Sequence, residues 1–457
     1  MSMKQIDSSI FRAYDIRGTY PDQLNEDVVY HVVRAYAEKL KPKLAVVGRD
    51  MRLSSPSLTE QAIQALLDGG SDVIDVGLTT TPMYYYSVNV LNANAGVMVT
   101  ASHNPKAYNG LKLTGPLATP SIDYISNDDL YKDASAADFE TPSKPGRIID
   151  RTSMIDRYTR DVLEASGINK FGGLKLVVDA GNGMDGIVLP ELFKNADCEV
   201  IPLYWDPDGN FPNHEANPLK EETLDDLKQK VLETKANLGI AYDGDGDRVG
   251  FVDETGKHIP GDIVTAILAK TMLKEKPRAE IIYDVRSSWS VKEEIEKAGG
   301  KPVMWKVGHA LIKKKMREIG AYFGGELSSH YYFQKFYITD NGDLAMLTML
   351  KTILAEGKPL SEIAKPIMRY FHSEEINSKV ADPAAKIAEV KECYQNGRII
   401  ELDGMTIEFD DWWFNLRPSQ TEPVLRLNVE AKTKDLLESK VSEILGIVRA
   451  VPAKVSS

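Results

Sequence analysis

The sequence predicts an α/β protein: three tandem α/β domains with mixed, largely parallel sheets, followed by a C-terminal α+β domain. Three observations carry this. Short apolar runs that end in glycine and charge alternate with stretches of helical period. The same arrangement recurs at Leu174 and again at Glu280. Beyond residue 367 the pattern changes to alternating strands and one closing helix. At 457 residues the chain is also too long for a single core.

The opening Ile10-Phe11-Arg12-Ala13-Tyr14-Asp15-Ile16-Arg17-Gly18 alternates like an edge strand and breaks at Gly18. A helix is expected from Glu26 to Leu40, then a buried strand over Leu44–Asp50. A second helix follows Ser55-Pro56 and ends near Gly69-Gly70. The strand Asp72–Gly77 leads to a turn at Thr79-Thr80-Thr81-Pro82. Next comes the apolar run Gly96-Val97-Met98-Val99, which delivers Thr100-Ala101-Ser102-His103-Asn104-Pro105 into a loop. Strands alternating with helices indicate a largely parallel sheet, whose chemistry collects beyond the carboxyl ends of the strands.

The run Leu174–Val178 ends in Asp179-Ala180-Gly181-Asn182-Gly183, and Glu280–Tyr283 runs into Asp284-Val285-Arg286-Ser287-Ser288. In the last segment, strands are expected over 404–409, 412–416 and 424–430, with an amphipathic helix from Thr433 to Val448. The domains are placed at 1–150, 151–253, 254–366 and 367–457, the first boundary marked by the loop Thr141-Pro142-Ser143-Lys144-Pro145-Gly146.

Five stretches carry candidate chemistry. Ser102 beside His103 offers a hydroxyl next to a base, although such a pair is by itself an ordinary loop feature. Asp243-Gly244-Asp245-Gly246-Asp247-Arg248 places three carboxylates at alternating positions, where like charges need a cation between them. An EF-hand calcium loop is the rival, because Glu254 falls at its twelfth position. Arg248 stands at the sixth, where that loop requires glycine, and the flanks 236–242 and 249–252 have strand character. Three carboxylates with room for a substrate oxygen suit Mg²⁺. Gly324-Gly325-Glu326-Leu327-Ser328-Ser329-His330 offers acceptors and donors for adjacent sugar hydroxyls, and His330 a proton at neutral pH; the bland alternative is a hairpin with a solvated Glu and His. His309 begins a helix able to meet an anion, while the run Lys313-Lys314-Lys315 is expected on a solvated face. Arg417-Pro418-Ser419-Gln420-Thr421-Glu422-Pro423, stiffened by two prolines, has the groups that wrap a phosphate.

Together and in this order, these loops resemble the α-D-phosphohexomutase superfamily, most like its bacterial phosphomannomutase/phosphoglucomutase branch. The matching motifs run from Phe11 to Pro423. The resemblance implies four domains in a heart shape, each giving one loop to a central cleft. It implies an isomerase that interconverts hexose 1-phosphate and hexose 6-phosphate of mannose or glucose, through a phosphoserine and a hexose 1,6-bisphosphate that also serves as activator. By the same resemblance Ser102 carries the phosphate, and Asp243, Asp245 and Asp247 hold Mg²⁺ together with an oxygen on Ser102. Glu326 and Ser328 bind sugar hydroxyls, and Arg417, Ser419, Gln420 and Thr421 hold the phosphate that is not transferred. Tyr14, Arg17, Lys112, Arg248, Arg286, His309 and His330 line the rest, with Lys112, His330 and Arg17 as proton-transfer groups. A hinged fourth domain is expected to close over the bisphosphate. The chain departs from its relatives at Ala101 and Ser329, where glycine is usual, at Leu327, where methionine is common in phosphomannomutases, and at Gln420, where asparagine or glycine is common. A phosphoglucosamine mutase shares all four loops but often carries glutamine at the position of Leu327. Outside this class stand a Mg²⁺-dependent phosphatase and a non-catalytic Ca²⁺- or sugar-phosphate-binding protein.

Composition fits. The chain is 43% hydrophobic and 27% charged, with a net charge of −12, which argues against a nucleic-acid partner. An anionic substrate must then be met by local basic clusters. Cys198 and Cys393 lie far apart, and no run has the length or apolarity of a membrane span. The expectation is a cytoplasmic monomer or small homo-oligomer acting on small hexose phosphates.

Overall fold

The computed structural model describes residues 6–419 and 424–450. Four sheets follow one another along the chain. The first orders its strands Ile16–Thr19, Tyr108–Thr114, Ala95–Val99, Leu44–Arg49, Asp72–Leu78 and Ile148–Arg151. Its three parallel pairings lie toward the Ile148–Arg151 edge, and Tyr108–Thr114 is antiparallel to both neighbours. In the second, Lys175–Asp179 pairs in parallel with Glu199–Leu203 and Leu238–Tyr242, and the hairpin Val249–Asp253 and His258–Ile259 extends it antiparallel. This sheet therefore runs on to Ile259. The third sheet repeats the plan: parallel around Glu280–Asp284, antiparallel through Tyr331–Phe333 and Thr339–Asp340. The fourth is antiparallel throughout and is accompanied by the helices Pro383–Cys393 and Lys434–Val448. Among the described residues no helix is long and apolar enough to cross a membrane.

Parallel strands are covered on both faces, so they read as continuous apolar runs: Ala95–Val99 and Leu238–Tyr242 are buried at every position. One layer of the helices that cover the first three sheets shares a core, while Glu26–Leu40 and Ser55–Asp68 close a separate core on the other face of the first sheet. Thr81–Val90, Ile155–Ser166, Gly261–Glu275 and Gly342–Glu356 all contribute to a single apolar cluster, in which Tyr86 stacks on Phe336 at 5.7 Å. The C-terminal domain has its own core around Phe414, Leu427 and Ile444.

Three expectations change. The opening stretch is a strand only from Ile16; Ser8–Ile10 is a 3₁₀ turn capped by Asp7, and Gly18 lies inside the strand. The turn at Thr79–Pro82 starts a helix. The Thr80 hydroxyl accepts the Met83 N–H, and Pro82 sits in the first turn, where its missing N–H costs nothing. Lys313 is not on a solvated face. It is fully buried, 2.9 Å from Asp340 Oδ1 and over the Tyr85 ring, because its helix packs that side against the first domain. Lys315 lies over Trp305, and only Lys314 is exposed.

Candidate active site

The strand Ala95–Val99 ends where Ser102 takes φ +50°, left-handed for a residue with a Cβ. That conformation is held from outside. The Ser102 N–H donates to Thr100 Oγ1 at 3.0 Å. The guanidinium of the buried Arg52 donates to four carbonyls of the same loop: Ser102 at 2.7 Å, Asn104 at 2.6 Å, and Pro105 and Tyr108 at 2.9 Å each. Strain of this kind persists only where surroundings over-determine it, and it marks functional sites. Ser102 Oγ then donates to Asp243 Oδ2 at 2.6 Å and lies 3.1 Å from His103 Nδ1. Burial, with Arg248 and Arg17 nearby, pushes His103 well below the usual histidine range, so its ring is neutral.

Asp243, Asp245 and Asp247 are buried together, with one oxygen of each within 4.8 Å of the others. The loop approaches the serine so closely that a Cβ on Gly244 would stand 2.5 Å from the Ser102 carbonyl oxygen. Burial and the two neighbouring carboxylates raise Asp243 well above the carboxylate range. Burial opposes ionisation of Asp247 too, but Lys112, His330 and Arg248 hold it well below. Lys112 Nζ bonds Asp247 Oδ2 and lies 2.9 Å from Asp245 Oδ2; against burial, these two carboxylates raise it well above the usual lysine range. The buried Asp245 Oδ1 and Asp247 Oδ1 have no hydrogen-bond partner among the described residues. Three crowded carboxylates with unpartnered oxygens fit a hard divalent cation. Glu254 takes no part: it accepts from Ser361, which removes the calcium-loop reading.

The glutamate loop closes on the metal loop through a backbone bridge between Arg248 and His330. Glu326 and His330 are buried, so the solvated hairpin is excluded. Glu326 Oε1 accepts the Gly308 N–H at 2.8 Å and Oε2 accepts from Tyr332. Burial would raise Glu326, but His330, Arg286 and Tyr332 hold it at about 2. His330 Nε2 lies 3.4 Å from Asp247 Oδ1 and Nδ1 3.4 Å from Glu326 Oε2; against burial and Arg248, these carboxylates push it up to about 9. Ser328 Oγ is 3.2 Å from His330 Nδ1. Ser329 has φ +63°.

Around this centre Arg17 donates to Asn104 Oδ1 at 2.7 Å and Asp15 at 2.9 Å. His309 heads its helix 3.6 Å from Asp15 Oδ1. The Tyr14 ring packs edge-on to His309, and its hydroxyl donates to the Val307 carbonyl at 3.2 Å. Gly308 takes φ +123°, and a Cβ there would meet the Tyr14 ring at 2.6 Å. Arg286 forks onto Asp284 at 2.8 and 3.2 Å. Glu375 gathers Arg417 at 2.6 Å, Arg426 at 3.4 Å and Arg286 at 3.8 Å. Ser419 follows Arg417 at the end of the strand Trp412–Pro418, while Gln420 and Thr421 lie outside the described residues.

Sequence reasoning missed Asp15, Arg52 and Glu375. The first two had a signal. Asp15-x-Arg17, Asp50-x-Arg52 and Asp284-x-Arg286 repeat one spacing, and in each the carboxylate pairs with the guanidinium, at 2.9, 3.2 and 2.8 Å. Glu375 had none, since its three arginines lie far from it in sequence.

Fold and site together define a four-domain protein with a buried cluster of serine, carboxylate and cationic groups. Four family models match in order: phosphoglucomutase/phosphomannomutase alpha/beta/alpha domain I over residues 8–135, domain II over 156–256, domain III over 260–371, and the C-terminal domain over 375–447. The chain is 40% identical to a phosphomannomutase of Salmonella montevideo, covering 96% of this chain and 99% of that one. It is 39% identical to a phosphomannomutase/phosphoglucomutase of Pseudomonas syringae, covering 98% and 96%. A solved phosphoglucomutase/phosphomannomutase family protein of Burkholderia thailandensis superposes with a TM-score of 0.89 at 33% identity, covering 97% and 98%. The chain belongs to the phosphoglucomutase/phosphomannomutase family and is a phosphohexomutase, an isomerase.

Proposed function

We propose that the chain interconverts hexose 1-phosphate and hexose 6-phosphate, of mannose and/or glucose, by way of a phosphoserine at Ser102 and a hexose 1,6-bisphosphate. The observation that carries this is the strained Ser102, with its hydroxyl 2.6 Å from Asp243 in a buried, carboxylate-lined centre flanked by cations.

In this reading phosphoserine gives its phosphoryl group to the free hydroxyl of a bound hexose monophosphate. The bond from Ser102 Oγ to phosphorus breaks and one from the sugar oxygen forms. The bisphosphate turns over in the site and returns its other phosphoryl group to Ser102. Asp243, Asp245 and Asp247, with an oxygen on Ser102, would hold Mg²⁺, which neutralises charge on the phosphoryl oxygens. Lys112 and Arg248 add fixed positive charge beside them. Glu326, held ionised, accepts from sugar hydroxyls, and Ser328 completes that grip. Arg417 and Ser419, with Gln420 and Thr421, take the phosphate that is not being transferred, and Arg286, His309, Tyr14 and Arg17 line the space between. Lys112 or His330 gives a proton to the sugar oxygen that departs as the phosphoryl group returns to Ser102, and in its deprotonated form takes one from the sugar hydroxyl that attacks phosphoserine. Neutral His103, beside Ser102 Oγ, takes the serine proton in the return step and gives it back to Ser102 Oγ in the donating one. Apolar Leu327 favours mannose and glucose over glucosamine phosphates.

The test is ³¹P NMR of the protein with Mg²⁺, a trace of hexose 1,6-bisphosphate, and mannose, glucose or glucosamine 1-phosphate in separate tubes. Mannose and glucose 1-phosphates are expected to become 6-phosphates, with glucosamine slower. Glucosamine fastest would make it a phosphoglucosamine mutase, and free phosphate alone a phosphatase. Full turnover by Ser102→Ala with bisphosphate present would remove the serine from the mechanism.

A further inference from the structure

We infer that Glu375 competes with the substrate's phosphate for Arg417, and so sets how readily either end of the sugar is let go. This deepens the proposed function and rests on it in one respect, that Arg417 anchors the phosphate that is not transferred.

Strand pairing assembles the competitor. Arg417 and Arg426 stand directly opposite each other on the strands Trp412–Pro418 and Val424–Ala431. Like charges facing each other across strands repel. On its other side Arg426 pairs with Asn377 of the strand Ile376–Lys379. Glu375 lies just before that strand, and its carboxylate reaches both arginines. Arg286, from the third domain, approaches the same carboxylate at 3.8 Å.

The hold of Glu375 on Arg417 is one that can be exchanged. Asp284 is fully buried and takes Arg286 by two nitrogens, Nε at 3.2 Å and Nη2 at 2.8 Å. Glu375 takes Arg417 by one, Nη2 at 2.6 Å. Its distances of 3.4 Å to Arg426 and 3.8 Å to Arg286 are longer than charge-assisted hydrogen bonds. Arg417 Nε and Arg426 Nε are buried with no hydrogen-bond partner among the described residues, so donors remain for a larger anion. The charges do not balance either, since three guanidinium groups face two carboxylates. Burial and Arg286 keep Arg417 below the usual arginine range despite Glu375. A phosphate brings more charge and more oxygens to such a group than one carboxylate does. Glu375 is 24% exposed, so once released it can turn into water.

In the proposed cycle the bisphosphate must leave Arg417 before it turns over. A tethered carboxylate that returns to Arg417 promotes that step. Neutralising Glu375 should therefore tighten phosphate binding and slow turnover, the reverse of what losing a supporting residue does.

The experiment is calorimetric titration of glucose 6-phosphate into the protein with divalent metal chelated, so that turnover is stopped. It compares the parent with Glu375→Gln and with Glu374→Gln, the exposed neighbour, which controls for charge alone. Affinity should rise about five- to tenfold in Glu375→Gln, because the apparent dissociation constant is the intrinsic one divided by the fraction of protein with Arg417 free. It should change less than about twofold in Glu374→Gln. With Mg²⁺ restored, KM and kcat for glucose 1-phosphate should both fall in Glu375→Gln. Unchanged or weaker binding, a raised KM, or an equal gain in both variants overturns the proposal. Should Glu375→Gln not fold, crystals of the unaltered protein with glucose 6-phosphate decide. Phosphate on Arg417 with Glu375 more than about 4 Å from it supports the competition. Phosphate on Arg417 with Glu375 still bonded to it overturns the competition, as does phosphate seated elsewhere, which also removes Arg417 from the proposed function. Tighter binding in Glu375→Gln, together with full turnover by Ser102→Ala, would sink the phosphoserine mechanism and leave the competition standing.

Discussion

Arg52→Met tests whether the serine loop is held in place from behind. The guanidinium donates to four carbonyls of the loop and to Asp50 at 3.2 Å, all out of water. Four charge-assisted bonds at about 1.5 kcal/mol each would sum to about 6 kcal/mol. They share one cation and are not additive, so the expected loss is about 3–5 kcal/mol, the cost of breaking a buried pair and stranding its partner. The catalytic consequence follows from Ser102 at φ +50°. Released from its anchor, the loop relaxes, and a shift of about 1 Å in a reacting group costs about a hundredfold in rate. The groups proposed to grip the sugar and its fixed phosphate, Glu326, Ser328 and Arg417, stand on other segments, so KM should move less than about threefold while kcat falls. Urea unfolding measures the first effect, and a glucose 1-phosphate assay coupled to oxidation of glucose 6-phosphate measures the second. Arg52→Met within about threefold of the parent kcat, with an unchanged urea midpoint, would refute the reasoning.

Lys313→Met should destabilise the protein by about 3–5 kcal/mol by stranding Asp340, whereas Lys314→Met should change stability by less than about 0.5 kcal/mol; urea denaturation separates them. Chelating divalent metal should lower turnover more than about a hundredfold, with recovery on adding Mg²⁺, followed by the same coupled assay. His214 Nε2 lies 2.9 Å from Asp179; burial lowers its pKa, but Asp179 more than compensates and the folded value is raised. The pair therefore contributes stability in full below the unfolded histidine value, and that contribution is lost as pH rises through the raised folded value. The stability gap between parent and His214→Gln should be widest in mild acid and shrink toward alkaline pH, as melting temperatures across a pH series would report.

Most of the site was legible because its chemistry is local. Asp243, Asp245 and Asp247 must lie together whatever the fold, and Ser102 follows an apolar run that could only be a buried strand. Lys313 was misplaced for the opposite reason. In the run Lys313-Lys314-Lys315 the neighbours are solvated or half-buried, and only the packing of the helix against Tyr85 and Asp340 sends one lysine inward. The helix Thr81–Val90 was hidden because it is buried all round, so it has no polar face to set a period. Glu375 shows the limit plainly: a carboxylate that gathers three arginines is defined by the tertiary structure, not by its neighbours in the chain.

The shared core bears on how the chain is made. The helix Thr81–Val90 belongs to the first domain, yet it packs on Tyr158 and Phe336, and Tyr158 in turn donates to Asp343, 185 residues further on. As the chain leaves the ribosome, the first sheet can pair long before the apolar face of that helix has anything to bury it. The first two domains must wait, partly uncovered, for the third. The C-terminal domain, with a core of its own, is under no such debt to order. Sequence domains and apolar cores thus do not coincide: the first sheet closes one core alone and shares another with the next two domains.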